Sequence, residues 1–108
     1  MITPRIFKPP QLLSSSSGRD LLDAINVSLE AGEMLILIDM NTTAYMDSGG
    51  LSYLVTILNR VKELSGELYL CSVRGQSAML FEITHIDQAF TIYSTQEAFH
   101  QAMLEQEN

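Results

Sequence analysis

The chain is poor in cysteine, in proline and in positive charge, and it lacks any long apolar run. Its one thiol, Cys71, excludes an internal disulfide and any zinc site built from several cysteines. A lone thiol suits a reducing compartment, so a cytoplasmic location is expected. The six basic residues, Arg5, Lys8, Arg19, Arg60, Lys62 and Arg74, are scattered among 13 acidic ones and leave a formal net charge of -7. Such a surface repels phosphate backbones, and no nucleic acid partner is expected. No stretch approaches the ~18 successive apolar residues of a membrane span, so no membrane insertion is expected either. The N-terminus has no apolar core of the kind a signal peptide carries. No internal repeat is visible.

What the chain does have is enough apolar content, 46%, for one buried core in 108 residues. A single domain over 1–108 is expected, with a shortened edge-strand region at 1–13 and a frayed tail at 105–108. Pro4, Pro9 and Pro10 confine Ile6-Phe7 to an edge strand. Leu12-Leu13 forms a second extended piece. The serine run Ser14 to Ser17 reads as a loop, with Ser17 and Asp20 spaced as a capping box. Leu21, Leu22, Ile25 and Leu29 predict a helix over about 19–31, with Gly32 as its left-handed cap.

Met34 to Ile38 is apolar without alternation, as in a strand buried on both faces. Leu51, Leu54, Val55, Leu58, Val61 and Leu64 form the apolar face of a helix over about 49–65, stopped by Gly66. Leu68 to Val73 is the next strand. Gln76 to Ile83 is a short helix with Met79, Leu80 and Ile83 turned inward. Phe90 to Tyr93 is a last strand, and Ser94-Thr95-Gln96-Glu97 has the form of a capping box for a final helix carrying Ala98, Phe99, Ala102 and Met103. Strands alternating with helices predict an α/β fold: a single small domain with a mixed, mostly parallel sheet of about four or five strands. Sites in such sheets collect beyond the carboxyl ends of the strands, where Asp39 and Asp47-Ser48 fall.

The stretch Met46-Asp47-Ser48-Gly49-Gly50-Leu51 joins a strand to a helix N-terminus. Asp47 or Ser48 has the chemistry to accept hydrogen bonds from the first helical turn, and the two glycines permit close backbone approach. An ordinary helix cap is one account. The other is a regulatory hydroxyl whose phosphate would gain from the helix dipole and add about 1.5–2 negative charges beside Asp47.

Ile36-Leu37-Ile38-Asp39, followed by Tyr45-Met46-Asp47-Ser48-Gly49-Gly50-Leu51, resembles the STAS domain of bacterial anti-sigma factor antagonists, which carry Asp-Ser-Ser-Gly-Leu in this setting. The resemblance continues through Gly66 to Cys71, Leu80-Phe81-Glu82 and Glu97-Ala98-Phe99, and covers about 12–104. It implies a STAS-like fold and a non-catalytic switch that binds a serine kinase acting as an anti-sigma factor and is released by phosphorylation of the second motif serine. Gly49 stands at that phosphoserine position, and Ser14 stands where the family often has an aspartate. The implied outcomes are a permanently unphosphorylated antagonist, phosphorylation on Ser48, or a docking subunit outside the cycle. STAS subunits of lipid-transport ABC systems carry a single threonine at the position of Ser48, so a transporter or sensor assembly is the alternative partner.

Partner contacts are expected at Asp47, Ser48, Gly49, Gly50, Ser52, Tyr53 and Thr56, the last two lying off the apolar stripe of the helix. No cofactor is implied. His85 and His100 have no partner at metal-ligand spacing, and Cys71 reads as a small buried residue. Without a G-x-S-x-G elbow, Ser48 and Asp47 do not form a hydrolase nucleophile site. Met40 and Met46 flank the loop, either as core filling or as adaptable partner surface.

Overall fold

The computed structural model describes residues 3–107. Met1, Ile2 and Asn108, the end of the expected frayed tail, lie outside the described residues. The strands are β1 (Arg5–Phe7), β2 (Leu12–Leu13), β3 (Leu35–Asp39), β4 (Tyr45–Met46), β5 (Glu67–Cys71) and β6 (Thr91–Tyr93). The helices are α1 (Ser15–Glu30), α2 (Ser48–Glu63), α3 (Gly75–Thr84) and α4 (Gln96–Glu107), with a 3-10 turn at Ile86–Gln88. Among the described residues a four-stranded sheet runs β1-β3-β5-β6 and a two-stranded one pairs β2 with β4. Every pairing is parallel, as the alternation of strands and helices requires.

All of β3 is buried, and its side chains alternate between two cores. Ile36 and Ile38, with Leu68 and Leu70 of β5, pack against Leu21, Ile25 and Leu29 of α1 and Leu54, Ile57 and Val61 of α2. Leu35, Leu37 and Cys71 pack on the opposite face with Phe99 of α4, which Tyr69 and Tyr93 flank at ring distances of 5.4 and 5.8 Å. β1 is the edge strand that its prolines allow. Beyond it, buried Thr43 donates its hydroxyl to the Pro9 and Pro10 carbonyls and holds that segment down.

Several local expectations are corrected. The capping box of α1 is Ser14 with Ser17, not Ser17 with Asp20, so the helix starts four residues earlier and the serine run is its first turn. At the C-terminus of α2 the left-handed residue is Ser65, φ 60°, while Gly66 donates its N–H to the Val61 carbonyl at 2.9 Å. Ile57 is fully buried although it stood outside the expected stripe, whereas Leu64 is exposed. The hydroxyl capping α4 is that of Thr95, which accepts from the Ala98 N–H at 3.0 Å, and that helix continues through Glu107.

The largest correction concerns α3. Met79 and Ile83 are exposed at 60% and 71%, and the buried residues are Ser77 and Phe81, while Leu80 packs half-buried against the core as expected. Polar anchors fix the rotation of this short helix. Ser77 donates its hydroxyl to the Thr43 carbonyl at 3.1 Å, and Gln76 Oε1 accepts the Met46 N–H at 2.8 Å. Phe81, one turn beyond Ser77, is thereby turned in to stack on Phe90.

Candidate functional site

Two strand-to-helix junctions lie side by side. β2 leads through Ser14 into α1, β4 leads through Asp47 into α2, and Leu13 pairs with Met46 just before both turns. Three side-chain hydrogen bonds between the two units share an offset of 34 residues, Thr43–Pro9, Tyr53–Arg19 and Arg60–Asn26. A constant offset means that α1 and α2 run in the same direction. Their N-termini, each carrying partial positive charge, therefore emerge together. Neither helix has an acidic residue in its first turn.

At this end Asp47 is the N-cap of α2, and its Oδ1 accepts the Gly50 N–H at 2.9 Å. The cap reading of this residue holds, and the carboxylate is spent on the helix. Ser48, Ser52 and Thr56 follow at intervals of one turn, and all are exposed. Tyr53 is half-buried instead, because it packs on α1: a Cβ added to Gly18 would lie 2.7 Å from Tyr53 Cβ. Its hydroxyl accepts from Arg19 Nε at 3.4 Å, and this hydrogen bond raises the pKa of the guanidinium.

The two glycines are close-approach positions. A Cβ on Gly50 would overlap the carbonyl oxygen of Leu13 and lie 2.6 Å from its carbonyl carbon. A Cβ on Gly49 would overlap the Ser15 hydroxyl and lie 3.0 and 3.1 Å from Ser15 N and Cβ. The motif glycines of α2 thus receive the start of α1. Sequence spacing gives no sign of this, since the partners are 34 and 37 residues away. Ser15 and Arg19 consequently join the site, as do Leu12 and Tyr45, an exposed cross-strand pair at its rim. Met40 and Met46 are buried core residues and contribute no partner surface.

Asp39 does not join Asp47. It points with Leu35 and Leu37 toward α4, accepting from Gln96 Nε2 and from the Asn41 N–H at 3.0 Å each, while Asp47 caps a helix on the other face. His100 contacts Gln96, and His85 takes the left-handed cap position of α3. Among the described residues no three His, Cys, Asp or Glu side chains converge as a metal site, and no helix is long and apolar enough to cross a membrane.

Cys71 is fully buried, and burial pushes its thiol from 9.0 up to about 11. The neutral thiol is favoured in the fold, so its contribution to stability is complete below pH 9 and fades between 9 and about 11. At pH 8 a thiol-disulfide reagent is expected to leave the folded protein unlabelled and to react on addition of urea; prompt reaction without urea contradicts this burial.

The sequence profile described as the STAS domain matches residues 3–98. Among curated proteins the chain is similar to BtrV of Bordetella bronchiseptica, assigned by name to the anti-sigma factor antagonists, at 23% identity over 81% of this chain and 75% of that one. Among solved structures, that of TM1081 from Thermotoga maritima superposes with a TM-score of 0.82 at 22% identity, covering 97% of this chain and 88% of the other. A STAS domain protein from Planctomyces limnophilus gives 0.78 at 24% identity over 96% and 97%. Unphosphorylated SpoIIAA gives 0.72 at 11% over 97% and 92%, a likeness of fold.

Proposed function

The chain belongs to the STAS domain family, and on that premise we propose that it is a non-catalytic anti-sigma factor antagonist of the cytoplasm. It docks a serine kinase that doubles as an anti-sigma factor, through the α2 start at Asp47, Ser48, Ser52, Tyr53 and Thr56; Gly49 and Gly50, expected as contacts from the sequence, are taken up instead by Ser15 and by the Leu13 carbonyl, and Gly50 is buried. The observation that carries this reading is the exposed stripe Ser48–Ser52–Thr56. Three short uncharged side chains, one per turn, leave a low polar ridge on which another protein surface packs closely without desolvating charge. Thr56 Oγ1 is already turned back to the Ser52 carbonyl at 3.0 Å, so the donor of that hydroxyl stays satisfied on burial. Leu12 and Tyr45 at the rim supply apolar and aromatic area of the kind that anchors interfaces.

The test is retention of the kinase on the full chain used as bait in an extract of its own cells. Ser52→Arg is expected to weaken retention by about 30-fold, equivalent to ~2 kcal/mol, because it drives a long cation into the ridge. Met79→Glu, on the exposed face of α3, should leave it unchanged. If a membrane ATPase is retained in place of a kinase, the chain is the regulatory subunit of a transporter. Equal retention by Ser52→Arg moves the interface off α2.

A further inference from the structure

Resting on that docking reading, we infer that the phosphoryl acceptor of this surface is the Ser15 hydroxyl, carried on α1 rather than in the α2 turn. A side chain at position 49 would begin where Ser15 Oγ stands. A serine hydroxyl of the neighbouring helix therefore overlaps the place where that side chain's first carbon would stand. A kinase engaging the start of α2 meets a serine hydroxyl in the expected place, on a different segment of chain.

The surroundings distinguish Ser15 from Ser14 and Ser17, and its contact with Gly49 distinguishes it from Ser16, which is also exposed. Ser14 and Ser17 are tied into the capping box, and Ser17 also donates to the Leu12 carbonyl at 3.0 Å. Ser15 is exposed, and among the described residues no side-chain hydrogen bond engages it. With Ser16, Arg19, Asp20 and Tyr53 it lines a surface groove of about 300 Å³, which Ser48 does not line. Arg19 lies one turn along from Ser15, its guanidinium oriented by Tyr53. A phosphate on Ser15 would meet that cation and the joined N-terminal ends of α1 and α2. The opposing charges are Asp20, which lines the groove, and Asp47, whose carboxylate is occupied by the Gly50 N–H. The added charge, about 1.5–2 negative units at the edge of the docking surface beside Tyr53, then expels the partner.

In the transfer Ser15 Oγ attacks the γ-phosphorus of the kinase's MgATP. The Oγ–P bond forms as the bond to the β,γ-bridging oxygen breaks, ADP leaves with that electron pair, and the hydroxyl proton passes to a base of the kinase.

The two candidate hydroxyls lie on different tryptic peptides, Ser15 on 6–19 and Ser48 on 20–60, because trypsin spares the Lys8–Pro9 bond. The full chain is purified from its own cells with phosphatase inhibitors and mapped by mass spectrometry, beside Ser15→Ala and Ser15→Thr. The expected result is phosphate at Ser15, lost in Ser15→Ala and kept in Ser15→Thr, with circular dichroism unchanged in both. Phosphate at Ser48, phosphate on peptide 6–19 that persists in Ser15→Ala, or phosphate on neither peptide overturns the inference. Retention of the kinase by the unphosphorylated chain reports separately on the docking reading, so the two fail independently.

Discussion

Gly50→Ala lowers stability by about 3 kcal/mol or more, the outcome expected where a methyl group is forced into backbone. The added carbon overlaps the Leu13 carbonyl oxygen and stands 2.6 Å from the carbonyl carbon. Rotating a side chain gives no relief. That same carbonyl accepts the Asp47 N–H at 3.2 Å, and Leu13 is paired with Met46, so moving it dismantles the β2–β4 junction and the N-cap of α2 together. For a chain of this size the loss corresponds to a fall in Tm of roughly 15 °C. Gly32→Asn is the control: a Cβ at Gly32 meets nothing within 4 Å, and asparagine tolerates the positive φ of 86°. It should cost under ~1 kcal/mol. Urea unfolding of the two variants decides the matter, and a Gly50→Ala midpoint equal to that of Gly32→Asn would falsify the tight junction.

Gly49→Ser, the change that gives the turn the sequence Asp-Ser-Ser-Gly-Leu, is expected to cost about 1–3 kcal/mol and not to be a clean gain of function. Its Cβ takes the place of the Ser15 hydroxyl. Ser15 has room to turn its oxygen outward, but contacts of 3.0 and 3.1 Å to its backbone nitrogen and Cβ remain. The first turn of α1 must yield by a few tenths of an ångström. Adding Ser15→Gly removes two of the three contacts and exchanges the residues across the helix gap. The double variant is expected to recover ~1 kcal/mol or more relative to the sum of the single changes. Its phosphate should move from peptide 6–19 to peptide 20–60 while kinase binding persists. Additive energies from chemical denaturation, with no coupling between the sites, would sink the interlock on which this rests.

Legibility from the sequence depended on how local the deciding force was. β3 was legible because burial on both faces demands an unbroken apolar run, and residues 34–38 supply one. α2 was legible because its apolar spacing and its Asp47 cap agree with each other. α1 was readable in its middle but not at its start: four serines in a row offer several capping registers, and contact with Leu12 selects Ser14 and Ser17. α3 was misread in rotation because Met79, Leu80 and Ile83 form a plausible stripe, while Ser77 and Gln76 anchor to loops 30 and more residues away. Asp39 and Asp47 both end strands, yet the side-chain direction along β3 sends Asp39 to the α4 face.

By itself the sequence determined the alternating α/β order, the buried central strand, a helix cap at Asp47 or Ser48 and the Asp47-Ser48-Gly49-Gly50 turn. Each follows from periodicity or from neighbours within a helical turn. The tertiary structure alone decided that α1 and α2 begin side by side, that Gly49 and Gly50 receive Ser15 and Leu13, and that Arg19 and Tyr53 share the groove beside them. Those facts depend on the register of two short strands, Leu12–Leu13 and Tyr45–Met46. Pairing across more than 30 residues leaves no periodic trace in either segment, and only the folded chain brings the second hydroxyl to the site.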